Sequence, residues 1–188
     1  MEGGGFSTSK NVVFIAADSY HSACITEDGS TYTWGFGECG KLGHGDQTDR
    51  SSPTLVNGLV GIRAKEVACG ARHTLIRTED GRVYSFGCGM FGQLGHGNKE
   101  DRLTPTLIDA PLEGKFVVQV ACGSKHSMVL ARNGYVYTWG HGANGIIGHG
   151  SEVNYAIPCI VEALNGKKIV NISSYNYHSV ALVDSKQH

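Results

Sequence analysis

The sequence predicts an all-β fold, a partial β-propeller made of four-stranded antiparallel blades. Three observations lead to this prediction. Glycine accounts for 27 of the 188 residues, which is about twice its usual share, and proline for only 4. A unit of 52 or 53 residues recurs along the chain, and no segment has the period of an amphipathic helix. Internal repeats of this length are typical of propellers and solenoids.

The repeat is clearest in a glycine-rich stretch. It reads YTWGFGECGKLGHG at residues 32–45, YSFGCGMFGQLGHG at 84–97 and YTWGHGANGIIGHG at 137–150. A histidine, an Asp-Gly or Asn-Gly pair and a proline recur in step with it. These landmarks predict a flexible Gly-rich lead (1–11) and a partial propeller (12–188), with repeats at about 12–63, 64–115 and 116–167 and an incomplete one at 168–183.

The second repeat shows the order of elements expected in every blade. Two short strands, KEVACG (65–70) and HTLIR (73–77), are separated by two residues. Asp80-Gly81 then suits the tight turn of a hairpin, because that turn needs positive φ angles. After the glycine-rich stretch, LTPTLID (103–109) begins a fourth strand, with its proline near the start, where a missing N–H is tolerated. The last repeat holds only the first two strands.

Each glycine-rich stretch contains the spacing G-x-G-x-x-G, which also occurs in nucleotide-binding loops. Three copies at a fixed period, none followed by an amphipathic helix, indicate a turn of the scaffold instead of a phosphate site. The middle glycines, Gly37, Gly89 and Gly142, are expected to need φ angles above zero. We therefore expect neither a nucleotide nor any other cofactor.

Seven of the nine histidines keep fixed positions in the repeat. One set is His21, His73, His126 and His178, and the other is His44, His96 and His149. Residues that recur in successive blades are expected to hold the scaffold together, so both sets are predicted to be structural, through imidazole hydrogen bonds to neighbouring backbone. The sequence contains no zinc motif or other familiar metal-ligand spacing.

The sequence carries no pattern typical of an enzyme. Its six cysteines form no C-x-x-C pair. A catalytic thiol would also need its own histidine as a base, and no histidine stands out as such a partner. Paired carboxylates and a hydrolase nucleophile motif are also absent from the sequence. We therefore predict a protein without catalytic residues.

Composition argues against several classes of partner. The 16 basic and 17 acidic residues nearly cancel, and the sequence has no lysine or arginine cluster. Nucleic acids and anionic membranes attract proteins through a positive field, so neither is expected as a direct partner. The N-terminal residues lack the apolar core of a signal peptide, and no apolar run approaches about 18 residues, which predicts an intracellular protein, cytoplasmic or nuclear.

The candidate partner-binding residues lie in the short loops that precede the repeat histidines. Two residues of each loop vary freely between repeats, as expected of recognition loops on a rigid frame. The alternative is that these loops are ordinary solvated turns. The loops are expected to share one side of the ring, with the glycine turns on the opposite side. The predicted binding residues form an arc with no acid between them: Tyr20, Arg72, Lys125 and Tyr177. Such an arc suits an acidic or phosphorylated segment.

The repeat resembles those of the regulator of chromosome condensation family. The resemblance lies in the pattern G-x-x-H-[ST], then D-G, then V-Y-[ST]-[WF]-G-x-G-x-x-G-x-[LI]-G-H-G, and covers about residues 12–183. It implies a complete ring of seven blades, of which this chain would supply about half. It also implies partner contacts through the loops and glycine turns. In a family member that acts as an exchange factor for a small GTPase these contacts use acidic residues, whereas the loops here are neutral or basic.

From these observations we expect a non-catalytic protein–protein interaction scaffold. One alternative is a guanine-nucleotide exchange module for a small GTPase. Another is a regulatory propeller belonging to a larger ubiquitin ligase or signalling protein. A half-ring would expose two blade faces that stacking normally buries, so we also expect completion of the ring by another chain or self-association.

Overall fold

The computed structural model describes residues 10–184. Within this range the chain forms fourteen strands in four antiparallel sheets, three of four strands and one of two. Within each sheet the strands lie in chain order, so each strand pairs with the next strand of the same sheet. The predicted all-β partial propeller is confirmed.

The four sheets are the blades, and their strands begin at matching repeat positions. Blade 1 consists of β1 (Val12–Ala17), β2 (His21–Thr26), β3 (Thr31–Gly35) and β4 (Arg50–Leu55). Blade 2 consists of β5 (Ala64–Cys69), β6 (His73–Thr78), β7 (Val83–Gly87) and β8 (Arg102–Leu107). Blade 3 consists of β9 (Val117–Cys122), β10 (His126–Ala131), β11 (Val136–Gly140) and β12 (Tyr155–Ile160). Blade 4 consists of β13 (Ile169–Tyr175) and β14 (His178–Val183).

The helical segments among residues 10–184 are short 3-10 turns. Two lie in glycine turns, at Glu38–Gly40 and Ala143–Gly145, and two lie between blades, at Asn57–Leu59 and Glu162–Leu164. In this part of the chain no helix has the length and apolar character needed to cross a membrane.

The lead that the repeat boundaries predict is only partly described, since residues 1–9 lie outside the described range. Its last two residues are attached to the β2–β3 turn. Lys10 Nζ is 3.1 Å from Asp28 Oδ2, and Asn11 Nδ2 donates to Glu27 Oε2 at 3.1 Å.

Three apolar clusters fill the spaces between neighbouring blades. Ile25 of β2 packs with Val67 of β5 and Phe86 of β7, and Leu75 of β6 packs with Trp139 of β11 in the same manner. Phe86 and Trp139, at the same position of the third strands of blades 2 and 3, thus face the preceding blade. Trp139 is fully buried, and its Nε1 donates to the Gln93 carbonyl at 2.8 Å. Most of the apolar core is therefore shared between blades.

Two blade faces have no neighbouring blade among residues 10–184. On blade 1, Ile15 is 75% exposed, whereas its repeat counterparts Val67 and Val120 are 2% and 4% exposed. On blade 4, Leu182 is 61% exposed, whereas its counterpart Leu130 is 4% exposed. The difference arises because the inner positions of blades 2 and 3 are covered by the blade on each side.

Candidate partner-binding face

The loops before the repeat histidines and the glycine turns leave the same end of each blade. β2 begins where β3 ends, because the two strands are antiparallel, and the Phe36 N–H donates to the Tyr20 carbonyl at 2.9 Å. The equivalent bonds run from Cys88 to Arg72 at 2.8 Å and from His141 to Lys125 at 3.0 Å. The expectation that the glycine turns build the opposite side of the ring is therefore wrong.

We call this surface the tip face. It consists of the tip loops 18–20, 70–72, 123–125 and 176–177 and the glycine turns 36–45, 88–97 and 141–150. The opposite end of each blade carries the hairpin turns between the second and third strands and the connections that lead to the next blade.

The four predicted binding residues all lie on the tip face. Tyr20 and Tyr177 are 57% and 48% exposed, the Arg72 side chain is 47% exposed, and Lys125 is half-buried. Neighbouring tip loops are in direct contact, since the Ser124 N–H donates to the Asn176 carbonyl at 2.8 Å. A single partner segment can therefore meet residues from more than one blade.

The expectation that no acid interrupts this arc is wrong. Glu38, in the glycine turn of blade 1, places Oε2 at 3.8 Å from Arg72 Nη2. The two groups meet because turn and tip loop share one face. Exposed pairs of this kind contribute about 0–1 kcal/mol, so Arg72 can exchange Glu38 for the carboxylate of a partner at little cost.

A buried lysine, which no sequence pattern predicted, lies beneath the tip face. Lys41 is fully buried, and its Nζ donates to the Ala71 carbonyl at 3.3 Å. The same ammonium lies 4.7 Å from the ring centre of Phe36 and 5.1 Å from that of Tyr20. Burial lowers the pKa of Lys41, and the two aromatic rings compensate part of the lost hydration.

A second cation–π pair occurs in the next blades. Lys125 Nζ lies 4.8 Å from the centre of the Phe91 ring, and that ring contacts the His141 ring edge-on at 4.7 Å. Sequence reasoning missed Phe36 and Phe91 because they occupy variable positions of the glycine turns. The signal in the sequence that could have identified them is that both residues are aromatic.

The tip face also exposes large apolar side chains. Phe36 is 44% exposed and Met90 is 55% exposed, and Tyr175 at the end of β13 is 67% exposed. Aromatic residues, methionine and arginine are enriched at protein–protein interfaces. The tip face therefore combines apolar contact area with charged groups.

The repeat histidines join neighbouring blades, and their partners are hydroxyls, not backbone groups as expected. The Nε2 atoms of His21, His73 and His126 lie 2.7, 2.9 and 2.8 Å from the hydroxyls of Thr74, Ser127 and Ser179 in the following blade. Each hydroxyl donates its own proton to a glycine-turn carbonyl, at Lys41, Gln93 and Ile146 respectively. The imidazole Nε2–H is therefore the donor to the hydroxyl oxygen, which fixes the tautomer.

Burial makes these three imidazoles unsuitable for acid–base chemistry. Desolvation lowers the pKa of His21 and of His126 to about 4, and that of His73 to about 3. All three are therefore neutral at physiological pH. His178, by contrast, is exposed, because the described residues contain no fifth blade to supply its hydroxyl.

The second histidine set also binds hydroxyls, within its own blade. His44, His96 and His149 place Nε2 at 3.0, 2.9 and 2.9 Å from the hydroxyls of Thr33, Ser85 and Thr138. Both histidine sets thus take part in repeated hydrogen bonds of the scaffold.

The middle glycines of the turns do not have positive φ angles, so that prediction is wrong. Gly37 and Gly142 have φ angles of −94° and −100°, and Gly89 is likewise outside the positive region. Glycine is needed for space: a Cβ at these three positions would lie 2.0 to 2.3 Å from the carbonyl oxygens of Thr48, Glu100 and Val153. Their N–H groups donate at 2.8, 2.8 and 2.9 Å to Asp49, Asp101 and Asn154.

Comparison with known proteins identifies the repeat. The RCC1-like domain family matches residues 7–188. The human E3 ubiquitin-protein ligase HERC2 is 44% identical over 185 residues, which are 97% of this chain and 4% of that protein. The ultraviolet-B receptor UVR8 of Arabidopsis thaliana is 38% identical over 173 residues, 92% of this chain and 39% of that protein.

A solved structure agrees with these sequence matches. Prp20p of Saccharomyces cerevisiae superposes with a TM-score of 0.82 at 25% identity, over 94% of this chain and 45% of that chain. The chain thus spans less than half the length of each of these three proteins. Its repeat pattern, blade topology and family match agree, and the chain belongs to the RCC1-like domain family.

Proposed function

We propose that this chain is a non-catalytic protein-recognition module whose tip face binds an acidic segment of a partner protein. The observation that carries the proposal is the make-up of that face, where exposed aromatic, methionine and basic side chains from successive blades lie side by side. The three most buried histidines are neutral and engaged in scaffold hydrogen bonds, which favours recognition over chemistry.

Arg72 is the residue that would contribute most to the binding of an acidic partner segment. Its guanidinium can hold a carboxylate or phosphate with two parallel hydrogen bonds. The contact with Glu38 at 3.8 Å is too long for a hydrogen bond, so a partner carboxylate that forms hydrogen bonds with Arg72 would displace it. Phe36 and Met90, exposed on the glycine turns of blades 1 and 2, would bury apolar side chains of the same segment.

A charge-reversal experiment tests the proposal. The variant Arg72→Glu with Lys125→Glu reverses both tip-face cations. The matched control is Lys115→Glu with Lys167→Glu, which makes the same change of charge at exposed residues on the opposite end of the blades. Wild type, variant and control are immobilised separately, and the proteins that each captures from cell extract are quantified by mass spectrometry.

We expect wild type and control to capture the same proteins and the tip-face variant to lose them. The melting temperature of the variant should fall only slightly, because Arg72 is exposed and the half-buried Lys125 loses one cation–π contact with Phe91, worth about 0.5–1 kcal/mol. Equal capture by all three proteins would contradict the proposal and place recognition outside the tip face.

A more specific version of this function is a recognition propeller within a larger ubiquitin ligase. The support is the 44% identity to HERC2, which extends over 97% of this chain. An exchange module for a small GTPase is the second version, supported by the likeness to Prp20p, a protein studied for its binding to Gsp1p and histones. Nucleotide release from a panel of small GTPases, measured with and without this protein, separates the two versions.

The proposal includes an intracellular setting and a partner at the open blade faces. All six cysteines are free thiols, as is usual in a reducing compartment. The exposed Ile15 and Leu182 are apolar residues at positions that other blades cover, which supports completion of the ring by another chain or by a second copy.

A further inference from the structure

Two cysteines that are far apart in sequence meet at the interface between blades 1 and 2. The Sγ atoms of Cys39 and Cys88 and a carboxylate oxygen of Asp101 all lie within 4.8 Å of one another. Cys39 belongs to the glycine turn of blade 1, Cys88 begins the glycine turn of blade 2, and Asp101 directly precedes β8 of blade 2. No short sequence motif could have predicted this group, because its members come from different repeats.

We propose that Cys39, Cys88 and Asp101 form a binding site for a thiophilic divalent cation such as Zn²⁺. Two thiolates and one carboxylate are ligands that Zn²⁺ accepts, with the fourth position left to water. Two Zn–S bonds of about 2.3 Å place the sulfurs about 3.8 Å apart in a tetrahedral site, which small side-chain movements can reach from the present arrangement. Binding converts both thiols to thiolates and releases two protons.

The local charges favour a cation. Desolvation, with smaller contributions from the neighbouring Cys88 and Asp101, raises the pKa of Cys39 to about 12. A bound cation would stabilise both thiolates and the carboxylate together. Cys88 is almost fully buried and Asp101 is exposed, so the group lies at the edge of the interface, where a hydrated ion can enter.

The fold itself does not require cysteine at these positions. The same pair of repeat positions at the interface of blades 2 and 3 holds Phe91 and His141, which make an edge-on ring contact. The cysteine pair and the Phe91–His141 pair occupy equivalent places between neighbouring blades. A thiol pair with a carboxylate is therefore a feature of one interface and not of the repeat.

The site is also connected to the tip face. The Cys88 N–H donates to the carbonyl of Arg72, and Cys39 is the direct neighbour of Glu38. An ion bound here would join the glycine turns of blades 1 and 2 next to the contact between Glu38 and Arg72.

Two substitutions that the repeat itself supplies test the site. Cys39 has a φ angle of 60°, and its counterpart Asn144 has 58°, so Cys39→Asn keeps a residue that tolerates this conformation. Asp101 accepts the Gly89 N–H at 2.8 Å, and Asn154 accepts the equivalent bond in blade 3, so Asp101→Asn keeps the turn and removes the charge. Cys88→Ala is a second thiol variant, and Cys159→Ser controls for general thiol loss.

The experiment titrates the full chain, kept reduced with a phosphine, with Cd²⁺ and Zn²⁺. We expect one Cd²⁺ per chain, a thiolate-to-Cd²⁺ charge-transfer absorption and a raised melting temperature in wild type and Cys159→Ser. Cys39→Asn and Cys88→Ala should lose the absorption and the shift, and Asp101→Asn should bind about tenfold or more weakly.

Three results would overturn the proposal. One is the absence of a charge-transfer band in wild type, and another is an unchanged band in Cys39→Asn, which would place the ion at other cysteines. The third is unchanged affinity in Asp101→Asn, which would remove the carboxylate from the site.

Discussion

His73 and Ser127 lie 54 residues apart and join blades 2 and 3 through one hydrogen bond. Both residue types are visible in the sequence, because each repeat histidine is followed by serine or threonine. The pattern does not show, however, that the donor and the acceptor lie in different blades. The glycine three residues before the repeat histidine of blades 2 and 3 was also visible in the sequence, but its reason was not. Gly70 is required because a Cβ there would lie 2.4 Å from the His73 ring.

The buried histidines predict an acid-sensitive fold. Their pKa values of about 3 to 4 in the folded chain lie below the value of about 6.5 expected when unfolded, so the unfolded chain binds more protons between these limits. The stabilising effect is therefore complete above pH 6.5 and is lost as the pH falls towards 4. Each histidine contributes up to about 1.4 kcal/mol per pH unit in this window.

Urea unfolding between pH 7.5 and 4.5 measures this dependence. His73→Asn should lower the slope of unfolding free energy against pH by up to about 1.4 kcal/mol per pH unit, whatever its effect on stability at neutral pH. An unchanged slope would mean that His73 is not held neutral by burial.

The crowded glycines predict a difference between two kinds of glycine substitution. Gly89→Ala would place its Cβ 2.0 Å from a backbone carbonyl oxygen, so the turn must move and we expect a loss of about 2 kcal/mol or more. Gly114 has a φ angle of 69° but open space around it, so Gly114→Ala should cost only about 1 kcal/mol of backbone strain. Equal losses in chemical denaturation would contradict the steric explanation of the glycine turns.

At the scale of strands, the first strand of each inner blade carries a polar residue that bonds to the next blade. Glu66 of β5 accepts the Val120 N–H at 3.3 Å and the Arg77 Nε–H at 3.0 Å. Gln119, at the same position of β9, accepts the Ile172 N–H at 2.9 Å. Both side chains satisfy a backbone donor of the following first strand, so they hold the inner strands in register.

This equivalence predicts unequal effects of two substitutions in blade 2. Glu66→Gln keeps an acceptor for Val120, as Gln119 does in blade 3, and its amide oxygen can still accept from Arg77, so the loss of the negative charge should cost about 1–2 kcal/mol. Arg77→Met leaves a mostly buried carboxylate without its cation and should cost about 3 kcal/mol. The measurement is the unfolding free energy at pH 7, and a larger loss for Glu66→Gln than for Arg77→Met would refute the pairing.

Strands could be predicted from the sequence more fully than the candidate site could. The 52-residue period and the Asp-Gly turns depend on local chemistry, and they located the strands to within a few residues. The contact of Glu38 with Arg72 and the meeting of Cys39 with Cys88 depend on how one blade is placed against the next. No local pattern contains that information, which is why the acid on the tip face was missed.

At the scale of the whole molecule, the open blade faces predict self-association. Ile15 on blade 1 and Leu182 on blade 4 are exposed, although their repeat counterparts are buried between blades. Sedimentation velocity of wild type should show a mass that rises with concentration above the 20.0 kDa of one chain. The variant Ile15→Lys with Leu182→Lys should remain monomeric with nearly the same melting temperature, because both residues are exposed.

The control for this prediction is Val60→Lys, a change at another exposed apolar residue between blades 1 and 2. It should associate like wild type. A wild-type protein that stays monomeric and well folded across micromolar concentrations would contradict the prediction.

Site-specific photo-cross-linking tests most directly whether the tip face is the recognition surface. A photoreactive amino acid is placed at Met90, which is 55% exposed on the tip face, or at Val60, which is 67% exposed at the opposite end of the blades. Each protein is irradiated in cell extract, and the cross-linked partners are identified by mass spectrometry. The tip-face account predicts partner adducts from position 90, lost in the Arg72→Glu, Lys125→Glu background, and none from position 60. Adducts from position 60 with none from position 90 would contradict it.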